Sequence, residues 1–307
     1  MNLLRATSCL AAIAAVLLAA SDALAWGPVA HLDIGLRLLE GAVLLLPAVR
    51  ALLDRHPDDF LYGCLAADII VGKDRARRHE HCHDWNVARS LLAFARERGT
   101  AAESFLLGYL GHLGADVVAH NHIVPQMMIT HFRAKGVGHL YWEARSDGKL
   151  LDENPVLCAV WRDFGRVRLP HHDRLLAEHL TPALLANRVS SRVFRGSLAV
   201  QRNGTWLAAI ERIERRSRLH FTGEQLSHWR ALALEGARRA VNNPSSSRLD
   251  RLDPTGREAL ERARTRRKQL RRMMRSRQFV PAELDAARAE ALREARTVDI
   301  GHFEDDP

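Results

Sequence analysis

Nowhere in this chain do apolar and polar residues alternate over the length of a strand, and runs of strand-favouring residues are scarce. A half-buried sheet needs that alternation, so a β-sandwich or barrel is excluded. Cysteine is also scarce, with four in 307 residues, one of them (Cys9) inside the N-terminal apolar stretch. The other three, Cys64, Cys82 and Cys158, are an odd number and do not describe a disulfide framework. One bond among them, or three unpaired thiols, are both compatible with the sequence. Aromatic residues make up 6% of the chain, a thin supply of the stacking platforms on which single-stranded nucleic acids lie. Beyond residue 25 no apolar run reaches the ~20 residues needed to span a bilayer.

What the sequence does have begins with a targeting segment. Arg5 precedes an apolar run from Cys9 to Ala20, and Ala23-Leu24-Ala25 forms a small-x-small cleavage box. This is the pattern of a secretory signal peptide over residues 1–25, too short for a membrane span. Cleavage after Ala25 leaves Trp26 as the first residue, with a free α-amine. The mature chain is expected to be soluble and exported, either held in the periplasm or secreted. Its formal charge is +9 with or without the leader, because the leader carries one Arg and one Asp. A basic balance of this size suits anionic partners such as a lipid surface or a nucleic acid, or it reflects solvated arginine-rich helix faces.

The composition is rich in Ala, Leu and Arg, which favours helices. Apolar residues recur at helical spacing over His31–Leu46, Asp84–Arg96 and Ser104–His120, with Pro47 and Gly99-Thr100 as stops. A helix is expected around His139–Arg145, after a Gly-Val-Gly turn, and further amphipathic segments over Asp173–Leu185, Ser190–Arg218 and Gly223–Val241. The sequence Asn242-Asn243-Pro244 followed by three serines reads as a linker. Two charged helices are expected after it, Thr255–Arg277 and Pro281–Arg296. The first contains RTRRKQLRRMMRSR, residues 264–277. It is either a patch for an anionic surface or a solvated helix packed on the main domain through Leu260, Leu270 and Met273, and the second reading is preferred. The expected organisation is therefore all-α: a main domain over residues 26–241, then a basic helical extension and tail over 245–307.

Histidines and carboxylates gather in one half of the chain. His31 opens the first helix, Asp68 follows LYGCLAA, and HEHCHDW supplies His79, His81 and His83. GYLGHLGADVVAHNH supplies His112, Asp116, His120 and His122, and GHLYWEA supplies His139 and Glu143. The pairs His112/Asp116 and His139/Glu143 are four apart, so each lies on one helix face, one turn apart. Such a pair offers zinc two adjacent ligands from a rigid scaffold. Asp116 also stands in an apolar stretch, where a buried carboxylate is costly unless a cation or donors compensate it.

This ordered set resembles the zinc-dependent phospholipase C family, whose fold is shared by single-strand-specific zinc nucleases. The shared pattern is an N-terminal Trp, a His, an Asp, a His, a His-x3-Asp, a His six residues later and a His-x3-Glu. It is met here by Trp26, His31, Asp68, a His of the His-Cys-His run, His112 with Asp116, His122, and His139 with Glu143. The resemblance implies an all-helical domain holding three zinc ions in one cleft. It implies that Trp26 chelates one zinc through its amine and carbonyl, together with His31 and Asp116. Asp116 would bridge to a second zinc held by Asp68, His81 and His112, while His122, His139 and Glu143 would hold the third. His81 is preferred over His83 because an acidic residue, Asp84, follows it by three; His83 is the alternative, and His120 a supporting residue. Cys82 would be a competing ligand.

Zinc lowers the pKa of bound water toward about 7, making hydroxide available at neutral pH, and paired ions clamp an in-line displacement at phosphorus. Asp68 would serve as a general base as well as a ligand. The expected activity is hydrolysis of phospholipid phosphodiester bonds at a membrane surface, with no protein partner. A zinc nuclease and a non-catalytic zinc-binding envelope protein are the alternatives. Val29 and Ile69 stand where choline-preferring relatives carry an acidic and an aromatic residue, so a choline headgroup box is not expected.

Overall fold

The computed structural model describes residues 26–41, 45–69, 82–134, 139–164, 169–179, 222–245, 248–276 and 278–296. Among them there are helices and no strands. In chain order the helices are α1 (Pro28–Glu40), α2 (Pro47–Arg55), α3 (Pro57–Ala66), α4 (Trp85–Arg96), α5 (Thr100–Val118), α6 (Val124–Thr130), α7 (His139–Glu153), α8 (Pro155–Phe164), α9 (Pro170–His179), α10 (Gly223–Asn242), α11 (Arg257–Arg275) and α12 (Pro281–Arg296). A 3₁₀ turn, Ala67–Ile69, follows α3, and a π-helical turn, Ala119–Ile123, joins α5 to α6.

Proline accounts for many of these starts. α1, α2, α3, α8, α9 and α12 each begin on one, where the missing N–H would be unsatisfied anyway and φ is already helical. Pro47, expected from the sequence to stop the first helix, instead opens α2. α1 itself ends earlier than its apolar pattern, at Gly41, whose N–H bonds Arg37 O at 2.8 Å. Side-chain caps mark two further starts. Asp84 accepts from the N–H groups of Asn86 and Val87 at 2.8 and 3.2 Å, and Thr222 forms a capping box with Gln225. The segment expected over Ser190–Arg218, and the end of the one over Asp173–Leu185, lie outside the described residues.

α5 is the axis of the fold. Every residue from Ser104 to Val118 is buried, the pattern of a helix enclosed on all sides. α3, α4 and α10 pack around it, and two glycine contacts let the backbones approach. A Cβ on Gly108 would lie 2.0 Å from Phe60 O, and one on Gly63 would lie 1.9 Å from Phe105 O, so α3 and α5 touch backbone to backbone. Gly114 and Gly236 do the same between α5 and α10, at 2.4 and 2.5 Å. Gly108→Ala gains about 1 kcal/mol of helix propensity. It also sets a methyl against a carbonyl that cannot move without the helix. Overpacking of that kind costs about 1–3 kcal/mol, so a net loss of stability is expected, read as a lower denaturation midpoint.

The C-terminal helices form a second small core. Ala263 and Leu270 of α11 and Leu284 and Ala291 of α12 pack with Ile129 and Phe132, and Met273 lies against them. Leu260 is also buried. Several of the arginines are spent on this docking. Arg288 donates to Thr130 O, Arg271 to Phe132 O and Ala134 O, and Arg267 to Ala134 O. These carbonyls sit at and just beyond the C-terminal end of α6, where unpaired C=O groups and the helix dipole both favour cations. The packed-helix reading of the basic extension therefore holds.

The start of α1 is fastened by a residue far away in sequence. Asp147 of α7 accepts from Val29 N–H at 3.1 Å and Ala30 N–H at 3.0 Å, capping α1 from outside. Burial pushes its carboxyl up to about 7, against the pull of those two donors and with Asp33 adding repulsion. An unfolded aspartate titrates near about 3.9, so the folded chain holds this proton more tightly than the unfolded one. The stability this contributes is complete below about pH 4 and is lost as pH rises to about 7. Relative to an Asp147→Asn variant, the unfolding free energy of the wild type is expected to fall by a few kcal/mol between about pH 4 and 7.5. Urea titrations at several pH values check this.

Candidate metal centre

His112 and Asp116 stand one turn apart on α5, both about 1% exposed. The helix is held by backbone contacts on two sides, so these side chains have little freedom. Asp116 Oδ2 lies 3.1 Å from His112 Nε2 and 3.1 Å from His83 Nε2. Its other oxygen, Oδ1, lies 3.3 Å from His31 Nε2. His83 and His112 bring their Nε2 atoms to 3.2 Å. Asp68, on the 3₁₀ turn after α3, sets Oδ1 at 3.4 Å from His83 Nε2 and Oδ2 at 3.8 Å from His112 Nε2. His31 stacks on His112 with ring centroids 3.7 Å apart.

These distances fit a metal. Ligand atoms at about 2.0–2.1 Å from a tetrahedral zinc are about 3.3 Å from one another. Five of the six contacts just described fall between 3.1 and 3.4 Å. His83, His112 and Asp116 make one such set, His31, Asp68 and His112 offer another, and the second oxygen of Asp116 faces His31. His31 Nδ1, His31 Nε2 and Asp116 Oδ1 are buried without a hydrogen-bond partner. The 3.3 Å contact between the last two is thus an ion-pair distance without hydrogen-bond geometry. Buried polar atoms left this way cost free energy, and a cation between them removes the cost.

The surroundings prepare the ligands. His112 Nδ1 is 2.8 Å from Cys64 O. A carbonyl only accepts, so the ring proton sits on Nδ1 and the Nε2 lone pair faces the cluster. His83 Nδ1 contacts Cys82 Sγ at 3.2 Å, which puts the thiol on the ring edge away from Asp116. Cys64, Cys82 and Cys158 are all free. Burial holds the His31 pKa below its usual value, with His112 adding to the effect and Asp116 opposing it. Burial alone would raise Asp116, but its neighbours His112 and His31 outweigh it and hold the carboxyl well below the usual range. A neutral imidazole and an ionised carboxylate are the forms a metal requires.

The remaining sequence candidates are placed as follows. Trp26 is buried at the start of α1. His122 is on the π-helical turn, a distortion common at functional sites, and His120 on the same turn is fully buried. His139 and Glu143 lie one turn apart in α7, their side chains outside the described residues, as is His81. His83 is described, and it meets Asp68, His112 and Asp116. Its placement follows from Asp84, the N-cap of α4, which fixes the residue immediately before it.

The sequence profile described as zinc dependent phospholipase C matches residues 30–190, just over half the chain. The chain belongs to the zinc-dependent phospholipase C family. No curated protein and no solved structure matches it. Membership makes it a zinc-dependent phosphodiesterase of phospholipase C type, all-helical as the family requires.

In this phospholipase a cleft of about 400 Å³ opens beside His83. Arg89 and Asn121 line one side, and Arg251, Arg257 and Arg262 line the other. The second wall belongs to the C-terminal extension, which the sequence motifs leave out of the site. It is bonded in place: Trp85 Nε1 donates to Leu252 O at 3.0 Å, and Asn121 Nδ2 to Asp253 O at 2.8 Å. Gly256, at φ 55°, packs against His120. No sequence signal marked this wall, because it is made by docking of segments more than 130 residues apart.

Proposed function

We propose that this chain is an exported phospholipase C that holds three zinc ions and hydrolyses phospholipid phosphodiester bonds at a membrane surface. The observation that carries the reading is the Asp116 carboxylate, with one oxygen toward His31 and the other toward His83 and His112. That is the disposition of a bridging ligand between two ions. His83, His112, Asp68 and Asp116 hold one ion; Trp26, His31 and Asp116 hold a second; His122, His139 and Glu143 hold the third. Removal of residues 1–25 frees the Trp26 amine for its role. Zinc, when bound, supplies a nucleophile from water near neutral pH and neutralises phosphoryl charge.

Asp68 is the least buried of the four clustered donors, at 7% against 0–1% for His83, His112 and Asp116. It is suited to hold the proton released by the attacking water. Arg89, Arg257 and Arg262 face the cleft and bind the non-reacting phosphate oxygens, for which a guanidinium is well shaped. Val29 is buried in the core and offers no charge to a cationic headgroup, so choline selectivity is not part of the proposal. No protein partner is proposed.

The experiment is a parallel assay of zinc-loaded mature protein on mixed phospholipid vesicles and on single-stranded DNA. Release of phosphorylated headgroup with intact DNA supports the phospholipase. The reverse result makes it a nuclease. Activity on neither, with metal bound, leaves a non-catalytic zinc protein. A chain retaining one residue before Trp26 should bind less zinc than the mature form.

A further inference from the structure

A second group of metal-type ligands lies away from the cleft. At the start of α3, the carboxylate of Asp59 is surrounded by three imidazoles. His172 Nε2 is 2.6 Å from Asp59 Oδ1, and His171 Nε2 is 3.6 Å from the same oxygen. His56 Nδ1 is 3.7 Å from Oδ2. The ligand atoms of Asp59, His171 and His172 all lie within 4.8 Å of one another. The two histidines are consecutive in the first turn of α9, where neighbouring side chains normally diverge by about 100°. Here their rings lie 4.0 Å apart and both turn to one carboxylate. A single imidazole already satisfies that oxygen, so the convergence of the other two is not explained by the ion pair.

We propose that Asp59, His171 and His172, with His56 as the fourth donor, form a further binding site for a zinc-type divalent cation that clamps α9 to α3. Imidazole nitrogens and a carboxylate oxygen are zinc donors, and four of them fill a tetrahedral site. His172 is the fixed member. It is buried, its ring stacks on Phe105 at 4.1 Å and 3°, and its neighbour Asp173 accepts from Tyr62 OH at 2.6 Å. His171 is half exposed, at 51%, and free to swing the short distance that tetrahedral ligation needs. His56 Nε2 is engaged by Thr100 Oγ1 at 2.8 Å, leaving Nδ1 toward Asp59. On binding, the neutral His172 ring takes the tautomer with its proton on Nδ1, so that Nε2 offers its lone pair to the metal. Burial holds the His172 pKa down, with Asp59 opposing it, so the ring has no second proton to lose at neutral pH. Asp59 and Asp68 are nine residues apart along α3 and its 3₁₀ turn, roughly 13 Å at helical rise, so the site is distinct from the catalytic one.

The test compares wild type with His171→Ala, and separately with His56→Ala, as mature full-length chains stripped with chelator and titrated calorimetrically with Zn²⁺. Loss of about one zinc ion per chain in both variants is expected, with phospholipid hydrolysis within about twofold of wild type. The same difference is expected in an Asp116→Asn background, where the catalytic cluster is disabled, so the result does not depend on the catalytic assignment. Equal zinc number and affinity in wild type and both variants would overturn the proposal. Equal helicity by circular dichroism excludes misfolding as the cause of a loss.

Discussion

Replacing Asp116 with Asn is expected to remove phosphodiesterase activity and strip metal from two positions at once. The carboxylate faces His31 with one oxygen and His83 and His112 with the other. An amide keeps the size but loses the charge, and turns an N–H₂ toward one of those groups. Loss of one preorganised donor in an active site already costs about 10²–10³ in rate. Here a shared ligand is lost, so a fall of at least about a thousandfold is expected, together with a lower zinc content by elemental analysis. Helicity should be retained, because α5 is fixed by its glycine contacts with α3 and α10 and not by this side chain. A variant with full zinc and near-normal turnover would remove Asp116 from the centre.

His83→Ala is the second large effect. Its Nε2 lies between 3.1 and 3.4 Å from Asp116, His112 and Asp68, so the variant removes one of the donors that would hold the ion. Even partners that only orient a ligand are worth about 10–100-fold in metal affinity; a ligand itself is expected to cost more. His81→Ala should change activity only a few-fold. The pair of variants decides between the two histidines. The opposite outcome, with His81 essential and His83 dispensable, assigns the ligand to His81. Measuring zinc affinity beside turnover separates loss of metal from loss of fold.

The sequence alone determined the helical class and the donor inventory. Helical spacing, and the absence of strand alternation, depend only on local backbone periodicity. His112 and Asp116 were legible as a pair because four residues are one turn, whatever surrounds them. Proline punctuation is equally local but ambiguous: Pro47 was read as a stop and instead opens α2, because proline suits both positions. Tertiary structure decided which donors meet. His31, Asp68 and His83 come from three separate segments, and spacing along the chain carries no information about their separation in space. Nothing local foretold that Asp147 caps α1 from 118 residues away, or that Arg257 and Arg262 form a cleft wall beside His83. Those contacts depend on how deeply α5 is enclosed and on where α11 docks, and the glycine approaches and the second core set both.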